Sequence, residues 1–343
     1  MSRRAQKYKE RHGLGGEGSR DLENEYEDEV HVQDLQPQLQ ETLATVPAAP
    51  KTALPPNDTL GLFHNTFRFL FDSPNLESFI QTVKGDLFNR DYIKAFGDDD
   101  RRMAYCTRWT PARSLAYASL FSELTPVATT IGSQDSKILA IGGGACGELV
   151  AFSSIYTQMQ ALKEGDDAYT TKININLIDI ADWSLISNKI TSEIQKKWVY
   201  QNPDSINVSF THDDVLKTDP SKLGLSDLDL VTLMFTTNEL FAEDKAASLR
   251  FFQSLNRECS DGTLLLITES AGSYSHITVG TKKFPIQFLI DTILLGKDQK
   301  SGDWEVISQS DSCWYRCGNN LEYPLKLENM RFFYRLYRKK TST

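Results

Sequence analysis

Three glycines in the middle of the chain have the spacing of a loop that binds nucleotide-like ligands. Gly142, Gly144 and Gly147 fit the pattern G-x-G-x-x-G; they follow the apolar run 138–141 and precede a helical pattern. Residues without a Cβ let the backbone approach a ligand at the N-terminus of a helix. Glycine loops also serve packing alone, but the strand before this loop and the helix after it favour a ligand. Both a dinucleotide and S-adenosylmethionine suit such a loop.

Acidic residues follow the next two predicted strands. The strand 175–179 ends at Asp179, where a carboxylate can accept hydrogen bonds from ribose hydroxyls. Asp179 lies 32 residues (179 − 147) beyond Gly147, further than the roughly 20 residues of the dinucleotide fingerprint. The polar insert 163–167 accounts for part of that excess, so NAD stays possible. After the third strand, Asp213 or Asp214 could accept from the exocyclic amine of adenine or simply cap a turn.

The fourth predicted strand, 228–235, is followed by polar residues at the same edge of the sheet: Thr236, Thr237, Asn238 and Glu239. Asn238 can both donate and accept hydrogen bonds, and Glu239 is a candidate general base. The alternative is that Thr237 or Asn238 only caps the following helix. The fifth strand, 264–268, leads to three candidates of second rank: Glu269, Ser270 and Tyr274.

A mostly parallel sheet has to bring these strand ends together. From residue 137 onward, short apolar runs alternate with helical stretches at about 148–163, 183–198 and 243–258. Such alternation predicts an α/β fold, a Rossmann-like doubly wound sheet covered on both faces. Two more strands, 304–311 and 330–338, have no helix between them, and the last is predicted to be antiparallel. The sheet is therefore expected to have seven strands.

The sequence predicts two further regions before the sheet. Apolar residues at three- and four-residue steps indicate a helical extension over 59–130, with one helix beginning at Thr110-Pro111 and the ligand-binding domain following over 131–343. Residues 1–58 are predicted to be disordered, because they combine a basic head, an acidic run over 21–29 and a stretch rich in Gln, Pro, Ala and Thr. The basic head could bind RNA, direct nuclear import or have no function.

Composition limits the class of protein. The chain has 37 basic and 46 acidic residues, a net charge of −9, which excludes a uniformly basic RNA-binding coat but not a local RNA-binding surface. No run approaches the roughly 18 apolar residues of a membrane span, and the first twenty residues lack the apolar region of a signal peptide. Five scattered cysteines do not form a disulfide framework. A soluble, intracellular, reduced protein without a membrane partner is expected.

Several segments together resemble a fungal class I methyltransferase family that methylates N3 of uridine in large-subunit (25S) ribosomal RNA. The resemblance runs from about residue 60 to the end and rests on the glycine loop and on the segments 105–117, 178–183, 234–240 and 327–333. It implies S-adenosylmethionine as cofactor, bound by Gly142, Gly144, Gly147, Asp179 and Asp214. The chain departs from the usual class I pattern in two ways: Ala140 stands where an acid is common, and the glycine loop is one residue longer.

The chemistry implied is in-line transfer of a methyl group from a sulfonium to a ring nitrogen, for which positioning of the reactants matters most. The imide proton of uridine must also leave; Glu239 is the preferred acceptor, with Asp182 as second choice, and Asn238 is assigned beside Glu239 as catalytic. No metal is expected, because Cys313 and Cys317 lack the partners of a zinc site. Cys146 is expected to pack in the core, and His212 and His276 to be structural or at the surface.

Ribosomal RNA or a pre-ribosomal particle is the expected partner, in the nucleus or nucleolus and possibly also in the cytoplasm. Arg108, Arg113 and Thr237 are predicted to bind the substrate. Arg101, Arg102, Arg108 and Arg113 surround Tyr105 and Trp109, a combination that suits phosphate contact and base stacking, although a solvated helix face is the alternative. A second basic group comprises Arg331, Arg335, Arg338, Lys339 and Lys340. Protein or small-molecule methylation, and a non-catalytic assembly factor with this fold, remain alternatives.

Overall fold

The computed structural model describes residues 42–163, 171–272, 276–279 and 282–341. The α-helices in these ranges are α1 (Pro56–Thr66), α2 (Arg68–Phe71), α3 (Leu76–Phe88), α4 (Tyr92–Ala95), α5 (Asp99–Arg108), α6 (Thr110–Glu123), α7 (Thr125–Gly132), α8 (Gly147–Ala161), α9 (Ser184–Lys197), α10 (Thr237–Glu243), α11 (Lys245–Glu258) and α12 (Ile286–Leu295). The strands are β1 (Ser136–Ile141), β2 (Ile173–Asp179), β3 (Ile206–His212), β4 (Leu230–Met234), β5 (Leu264–Ser270), β6 (His276–Val279), β7 (Lys282–Pro285), β8 (Trp304–Tyr315) and β9 (Met330–Lys339). Among these helices, none has both the length and the apolar character needed to cross a lipid bilayer.

Seven strands form one sheet in the order β3-β2-β1-β4-β5-β9-β8. Strands β1 to β5 run parallel, while β9 pairs antiparallel with both β5 and β8. The seven-stranded, mostly parallel sheet with an antiparallel last strand is therefore confirmed. The chain leaves β1 towards β2 on one side and later enters β4 on the other, so a cleft opens at the carboxyl ends of β1 and β4.

Both faces of the sheet are covered, as the apolar strands require. Along β1, Ile138 and Ala140 belong to an apolar cluster with residues of α6 and α8, whereas Leu139 and Ile141 belong to a second cluster with residues of α11 and α12. Successive side chains of a strand point to opposite faces, so the unbroken apolar sequence of β1 is explained by burial on both sides. This burial fixes the position of the glycine loop that follows.

The helices before the sheet share its core. The ring of Phe121 on α6 stacks on that of Phe152 on α8, with centroids 4.9 Å apart. Phe63 of α1 lies in the same apolar cluster. Helix α6 begins at Thr110, with Pro111 in its first turn, as the sequence predicts. The boundaries drawn near residues 59 and 131 stay a prediction.

The predicted disorder over 1–58 is wrong for residues 42–58; residues 1–41 lie outside the described ranges. The backbone N–H of Val46 donates to the carbonyl of Trp314 (2.9 Å) in β8, and Trp314 donates in turn to the carbonyl of Ala44 (3.0 Å). Val46 is buried, and Leu54 donates its N–H to Ser154 Oγ (3.0 Å) on α8. The free edge of β8 offers this segment backbone partners, which composition alone does not reveal.

Candidate cofactor and substrate pocket

A cavity of about 230 Å³ opens at the carboxyl ends of β1, β2 and β4. Its walls come from the glycine loop, from the segments after β2, β3 and β4, and from the turn between α3 and α4. Tyr105 and Arg113, on α5 and α6, also line it. The structure thus brings most of the predicted strand-end residues to one place, together with parts of the N-terminal helices.

Contacts with neighbouring protein residues require glycine at several positions of the loop. Gly142 has a φ of +72°, and its N–H donates to the carbonyl of Ile178 (2.8 Å). A Cβ at Gly144 would overlap the indole of Trp183, and a Cβ at Gly147 would lie 3.0 Å from Tyr117 Cε2. Gly142 and Gly147 line the cavity, but Gly144 does not. The backbone approach expected at Gly144 is therefore explained by close packing against Trp183.

Asp179 joins the loop to the end of β2. Its Oδ2 accepts the N–H of Gly144 (3.1 Å) and its Oδ1 accepts the N–H of Ala181 (3.0 Å). Burial raises the pKa of Asp179, while these two hydrogen bonds lower it. Because each carboxylate oxygen can accept a further bond, Asp179 can also receive hydroxyl groups of a ligand in the cavity.

The two acids after β3 differ in how they are held. Asp214 Oδ1 accepts the N–H of Leu216 (3.0 Å), and Asp214 Oδ2 forms an ion pair with Lys217 (2.7 Å). Asp213 Oδ1 accepts the N–H of Asp214 (2.8 Å). Both aspartates line the cavity. The assignment of adenine contact to Asp214 stays a prediction, and the capping role considered for it accounts for at least part of its bonding.

A left-handed residue redirects the chain after β4. Phe235 has a φ of 63°, which is uncommon for a residue with a bulky side chain and costs roughly 1 kcal/mol or more. Helix α10 then starts at Thr237, and the Oγ of Thr236 donates to the carbonyl of Ile141 (3.1 Å). This strained turn places Glu239, in the first turn of α10, on the cavity wall.

Thr237 and Asn238, which precede Glu239 in the first turn of α10, do not line the cavity. Thr237 is fully buried and does not line the cavity in this structure, because the first residue of α10 faces the core. Its predicted contact with substrate stays a prediction. Asn238 does not line the cavity either; its backbone N–H and its Nδ2 donate to the two carboxylate oxygens of Glu269. Asn238 therefore positions Glu269, and its predicted catalytic role stays a prediction.

Two buried carboxyl groups, Glu148 and Glu269, and the half-buried Glu239 give this region its electrostatic character. Burial is the main cause that raises the pKa of Glu148 and Glu239 to about 8 each and that of Glu269 to about 7. The negative charges of Glu269 and Asp179 raise the pKa of Glu239 further, whereas Arg113 lowers it. A cation bound in the cavity would favour the ionised forms of these groups. The site is suited to a positively charged ligand.

Glu148 was not predicted from the sequence. It follows the last glycine of the loop, where an acid in the first turn of a helix is commonplace. The fold buries it and lets its Oε1 accept a hydrogen bond from Thr232 Oγ1 (2.8 Å) in β4. Glu148 lines the cavity below Gly143. One feature of the sequence points to it: Ala140 stands where an acid is common, so β1 supplies no carboxylate to the loop and another residue has to do so.

Arg113 is the arginine of the predicted basic group that lines the cavity. Its guanidinium donates to the Tyr105 hydroxyl and lies 5.5 Å from the centre of the Tyr105 ring and 5.6 Å from that of Phe235. Burial and the nearby charge of Glu239 raise the pKa of Tyr92, across the cavity, to about 12. Arg113 is thus a fixed positive charge among carboxylates and aromatic rings.

The other arginines of that group are engaged inside the protein. Arg101 pairs with Asp86 (3.3 Å) and Asp98 (3.0 Å), and Arg102 pairs with Asp99 (2.7 Å). Arg108 pairs with Glu328 (2.7 Å) and donates to the carbonyl of Lys326 (2.8 Å), away from the cavity. These three arginines are therefore engaged in ion pairs and not free on a solvated helix face, and the predicted RNA contact stays a prediction. Asp98 and Asp99 precede their partners by three residues in the same helical turn, whereas Asp86 and Glu328 are distant in sequence and the local pattern does not link them to these arginines.

The basic residues near the C-terminus are paired in the same way. Arg335 is buried and pairs with the buried Asp291 (3.6 Å) and the exposed Asp311 (2.6 Å), and Arg338 pairs with Glu305 across the β8–β9 ladder (2.6 Å). Lys339 and Lys340 donate to backbone carbonyls, and Arg331 donates to Ser312 Oγ (2.9 Å). This group therefore stabilises the antiparallel edge of the sheet.

The remaining candidates lie elsewhere. Asp182 is exposed, accepts the N–H of Ser184 (3.1 Å) and does not line the cavity. Cys146 is buried within the loop, as predicted, and His212 is exposed with its Nε2 3.0 Å from the carbonyl oxygen of Ile180. Tyr274 lies outside the described residues, as does the side chain of His276.

The sequence matches a known protein family and a yeast enzyme over most of its length. A family model described as "Putative SAM-dependent methyltransferase" matches residues 63–338. The 25S rRNA (uridine(2843)-N(3))-methyltransferase of Saccharomyces cerevisiae is 48% identical over 323 residues, which cover 86% of this chain and 88% of that protein. The matched region includes the glycine loop, strands β1 to β5 and every cavity residue discussed above.

Solved structures resemble the chain more distantly. The N-methyltransferase NodS from Bradyrhizobium japonicum, in complex with S-adenosyl-L-homocysteine, has a TM-score of 0.36 and 11% identity, and the likeness covers 64% of this chain and 88% of that one. A 1,6-didemethyltoxoflavin-N1-methyltransferase from Burkholderia thailandensis has a TM-score of 0.40 and 9% identity, covering 75% of this chain and 89% of that one. Likenesses at this level carry no weight beside the family match and the yeast relative.

Proposed function

This chain belongs to the SAM-dependent methyltransferase family that its sequence matches, and we propose that it methylates N3 of a uridine in large-subunit ribosomal RNA. The observation that carries the proposal is the yeast 25S rRNA methyltransferase, which is 48% identical over 86% of this chain. The position of Glu239 on the wall of the cavity supports it, because methylation at an imide nitrogen calls for a proton acceptor.

The residues of the cavity fit S-adenosylmethionine, the cofactor of the family. We assign the ribose to Asp179, whose oxygens retain acceptor capacity, and adenine to the rim formed by Asp213 and Asp214. The cofactor carries a sulfonium and an ammonium group, and these cations favour the ionised form of the buried Glu148 beneath the loop, which then supplies charge of the opposite sign. Gly142 and Gly147 line the same space. When bound, S-adenosylmethionine supplies an activated methyl group on sulfur.

Glu239 is assigned as the proton acceptor. Its pKa of about 8 leaves it mostly protonated at pH 7 in the empty cavity. A neighbouring positive charge favours the carboxylate form, so binding of a cationic cofactor prepares Glu239 to accept a proton. A general base is most effective when its pKa lies near the operating pH. Arg113, held by Tyr105 and Phe235, is assigned to orient the polar edge of the substrate.

The charges in the cavity also restrict which part of a substrate can enter it. Once the cationic cofactor favours their ionised forms, the carboxylates in the interior repel phosphate, whereas a neutral base can enter. An unpaired or flipped uridine meets this requirement, since its base can leave the stack while its phosphates stay outside. We therefore propose ribosomal RNA or a pre-ribosomal particle as partner, and the nucleus or nucleolus as the main location, with the cytoplasm as a further one.

Transfer from S-adenosylmethionine carrying a labelled methyl group tests the proposal. The chain is incubated with unmodified large-subunit rRNA, with ribosomal proteins and with free uridine, and the products are digested and resolved by mass spectrometry. Label should appear as N3-methyluridine from RNA. Label on protein or on free nucleoside alone would replace the proposal with another methyltransferase activity. Cofactor binding without transfer to rRNA or to pre-ribosomal particles would indicate a non-catalytic assembly factor.

A further inference from the structure

Two large apolar side chains are exposed at the ends of the turn between α3 and α4, part of which lines the cavity. Phe88 is 89% exposed at the end of α3, and Ile93 is 75% exposed on α4. The residues between them form a turn, and Arg90, Asp91, Tyr92 and Ile93 all line the cavity. We call residues 88–93 the rim turn. Exposed apolar side chains placed together beside a binding cavity indicate an interaction surface.

The rim turn is held in place by hydrogen bonds and by ion pairs to the mostly buried Asp86. The N–H of Asp91 donates to the carbonyl of Asp86 (2.9 Å), and Asp91 Oδ1 accepts the N–H of Lys94 (3.0 Å). The carboxylate of Asp86 is mostly buried and pairs with Lys94 (3.1 Å) and Arg101 (3.3 Å). The exposure of Phe88 and Ile93 is thus fixed by the turn, which presents both side chains to solvent.

Arg90 adds a positive charge to this surface. It is exposed, has a left-handed φ of 58° and lines the cavity. Within the ranges that the structure describes, Arg90 forms no ion pair, in contrast to Arg101, Arg102 and Arg108. A left-handed conformation is uncommon for a residue with a long side chain, and strain of this kind concentrates at binding sites.

We propose that the rim turn docks an unpaired segment of the RNA substrate, with a base next to the methylated uridine stacked on Phe88 and its phosphate at Arg90. This inference rests on the proposed function and deepens it. Aromatic side chains beside arginine are the usual means of binding single-stranded RNA. Glu148 and Glu239 line the interior and Arg90 lines the rim of the same cavity. Once a bound cation favours the ionised carboxylates, they repel phosphate from the interior, so the phosphates stay at the rim near Arg90 and a neutral base can enter.

The test measures binding of a single-stranded, uridine-containing RNA of roughly 12 nucleotides by fluorescence anisotropy over a range of salt concentrations. The variants are F88A and R90Q. Matched controls are F69A, a phenylalanine 52% exposed on α2, and R250Q on α11; neither residue lines the cavity. Binding of S-adenosylhomocysteine and thermal melting are measured on each variant to show that the cavity is intact.

Phe88→Ala should weaken RNA binding roughly tenfold, the usual loss of one stacking platform. Arg90→Gln should weaken it too and reduce the slope of log affinity against log salt by about 0.7. Both control variants should bind like the parent. Equal affinity of F88A and F69A would overturn the inference. So would a loss confined to pre-ribosomal particles, with binding of naked RNA unchanged, because that result assigns the surface to a protein partner.

The docking inference and the proposed function fail in different ways. If the parent chain methylates rRNA but the F88A variant binds RNA normally, only the docking inference is wrong. If the parent binds RNA through Phe88 and Arg90 but transfers no methyl group, docking is supported and the proposed function is wrong. Failure of the parent to bind RNA in either form would overturn the docking inference.

Discussion

Asn238 and Glu269 are joined by two hydrogen bonds. The backbone N–H of Asn238 donates to Glu269 Oε1 (2.8 Å), and its Nδ2 donates to Oε2 (2.7 Å). The contact ties the first turn of α10 to the end of β5, so the residue immediately before Glu239 is anchored to the sheet. Glu239 is thereby presented to the cavity from a fixed support.

Removing this anchor should disturb both stability and the site. Asn238→Ala leaves the buried carboxyl of Glu269 with one donor fewer, a loss of about 1.5–3 kcal/mol for a bond to a charged group. We expect a lower melting temperature together with weaker cofactor binding in calorimetry. Asn256→Ala removes a bond from Trp304 Nε1 (2.9 Å) that links β8 to α11, and neither residue lines the cavity; it should lower the melting temperature alone. Unchanged cofactor affinity in the Asn238 variant would contradict the anchoring role.

Methyl transfer should depend on the ionisation of Glu239. Its pKa is raised to about 8, so below that pH the fraction of carboxylate, and with it the single-turnover rate, falls by about tenfold per pH unit. The cationic cofactor should move the midpoint below 8. Glu239→Gln should reduce the rate by roughly 10²- to 10⁴-fold and abolish this dependence, whereas Glu258→Gln, on α11, should retain both. A pH profile shared by parent and Glu239→Gln would rule out Glu239 as the base.

Glu148 should make the protein less stable as pH rises. Its folded pKa of about 8 lies above the ordinary 4.5, so the folded state holds a proton that the unfolded chain has released between these pH values. By linkage, its contribution to the free energy of unfolding is full below pH 4.5 and is lost as pH increases to about 8. Glu148→Gln should flatten the decline measured by urea unfolding, and Glu123→Gln, at the exposed end of α6, should not. An unchanged slope in Glu148→Gln would show that Glu148 is not the group responsible.

Two glycine substitutions test whether close packing is the reason for glycine at position 144. A Cβ at Gly144 would overlap Trp183, whereas Gly85, inside α3, has nothing within 4 Å of its Cβ position. Gly144→Ala should therefore lower both the melting temperature and cofactor affinity. Gly85→Ala should instead stabilise the chain by about 0.5–1 kcal/mol, as alanine does in helix interiors. Normal cofactor binding and stability in Gly144→Ala would contradict the role assigned to Trp183.

The sequence predicts those parts of the fold that depend on local pattern. The apolar run of β1, the glycine loop and Asp179 occur in the order typical of a nucleotide-binding α/β fold. This order predicts the sheet and one edge of the cavity. Glu148 does not, because its burial depends on Thr232, a residue of a distant strand that the topology brings beside it. Arg108 was assigned to RNA for the same reason: its partner Glu328 lies 220 residues away. Short elements such as α4 carry too few residues to show a period.

Complementation is the most direct test of the proposed uridine methylation. It uses yeast that lacks the 25S rRNA (uridine(2843)-N(3))-methyltransferase, the relative 48% identical to this chain. The chain is expressed in these cells, and mass spectrometry maps the modified uridines of their large-subunit rRNA. We predict that N3-methyluridine returns to the position that the yeast enzyme modifies, and that Glu239→Gln, expressed at the same level, does not restore it. Absence of the modification in cells that contain the folded, cofactor-binding parent chain would contradict the proposed function.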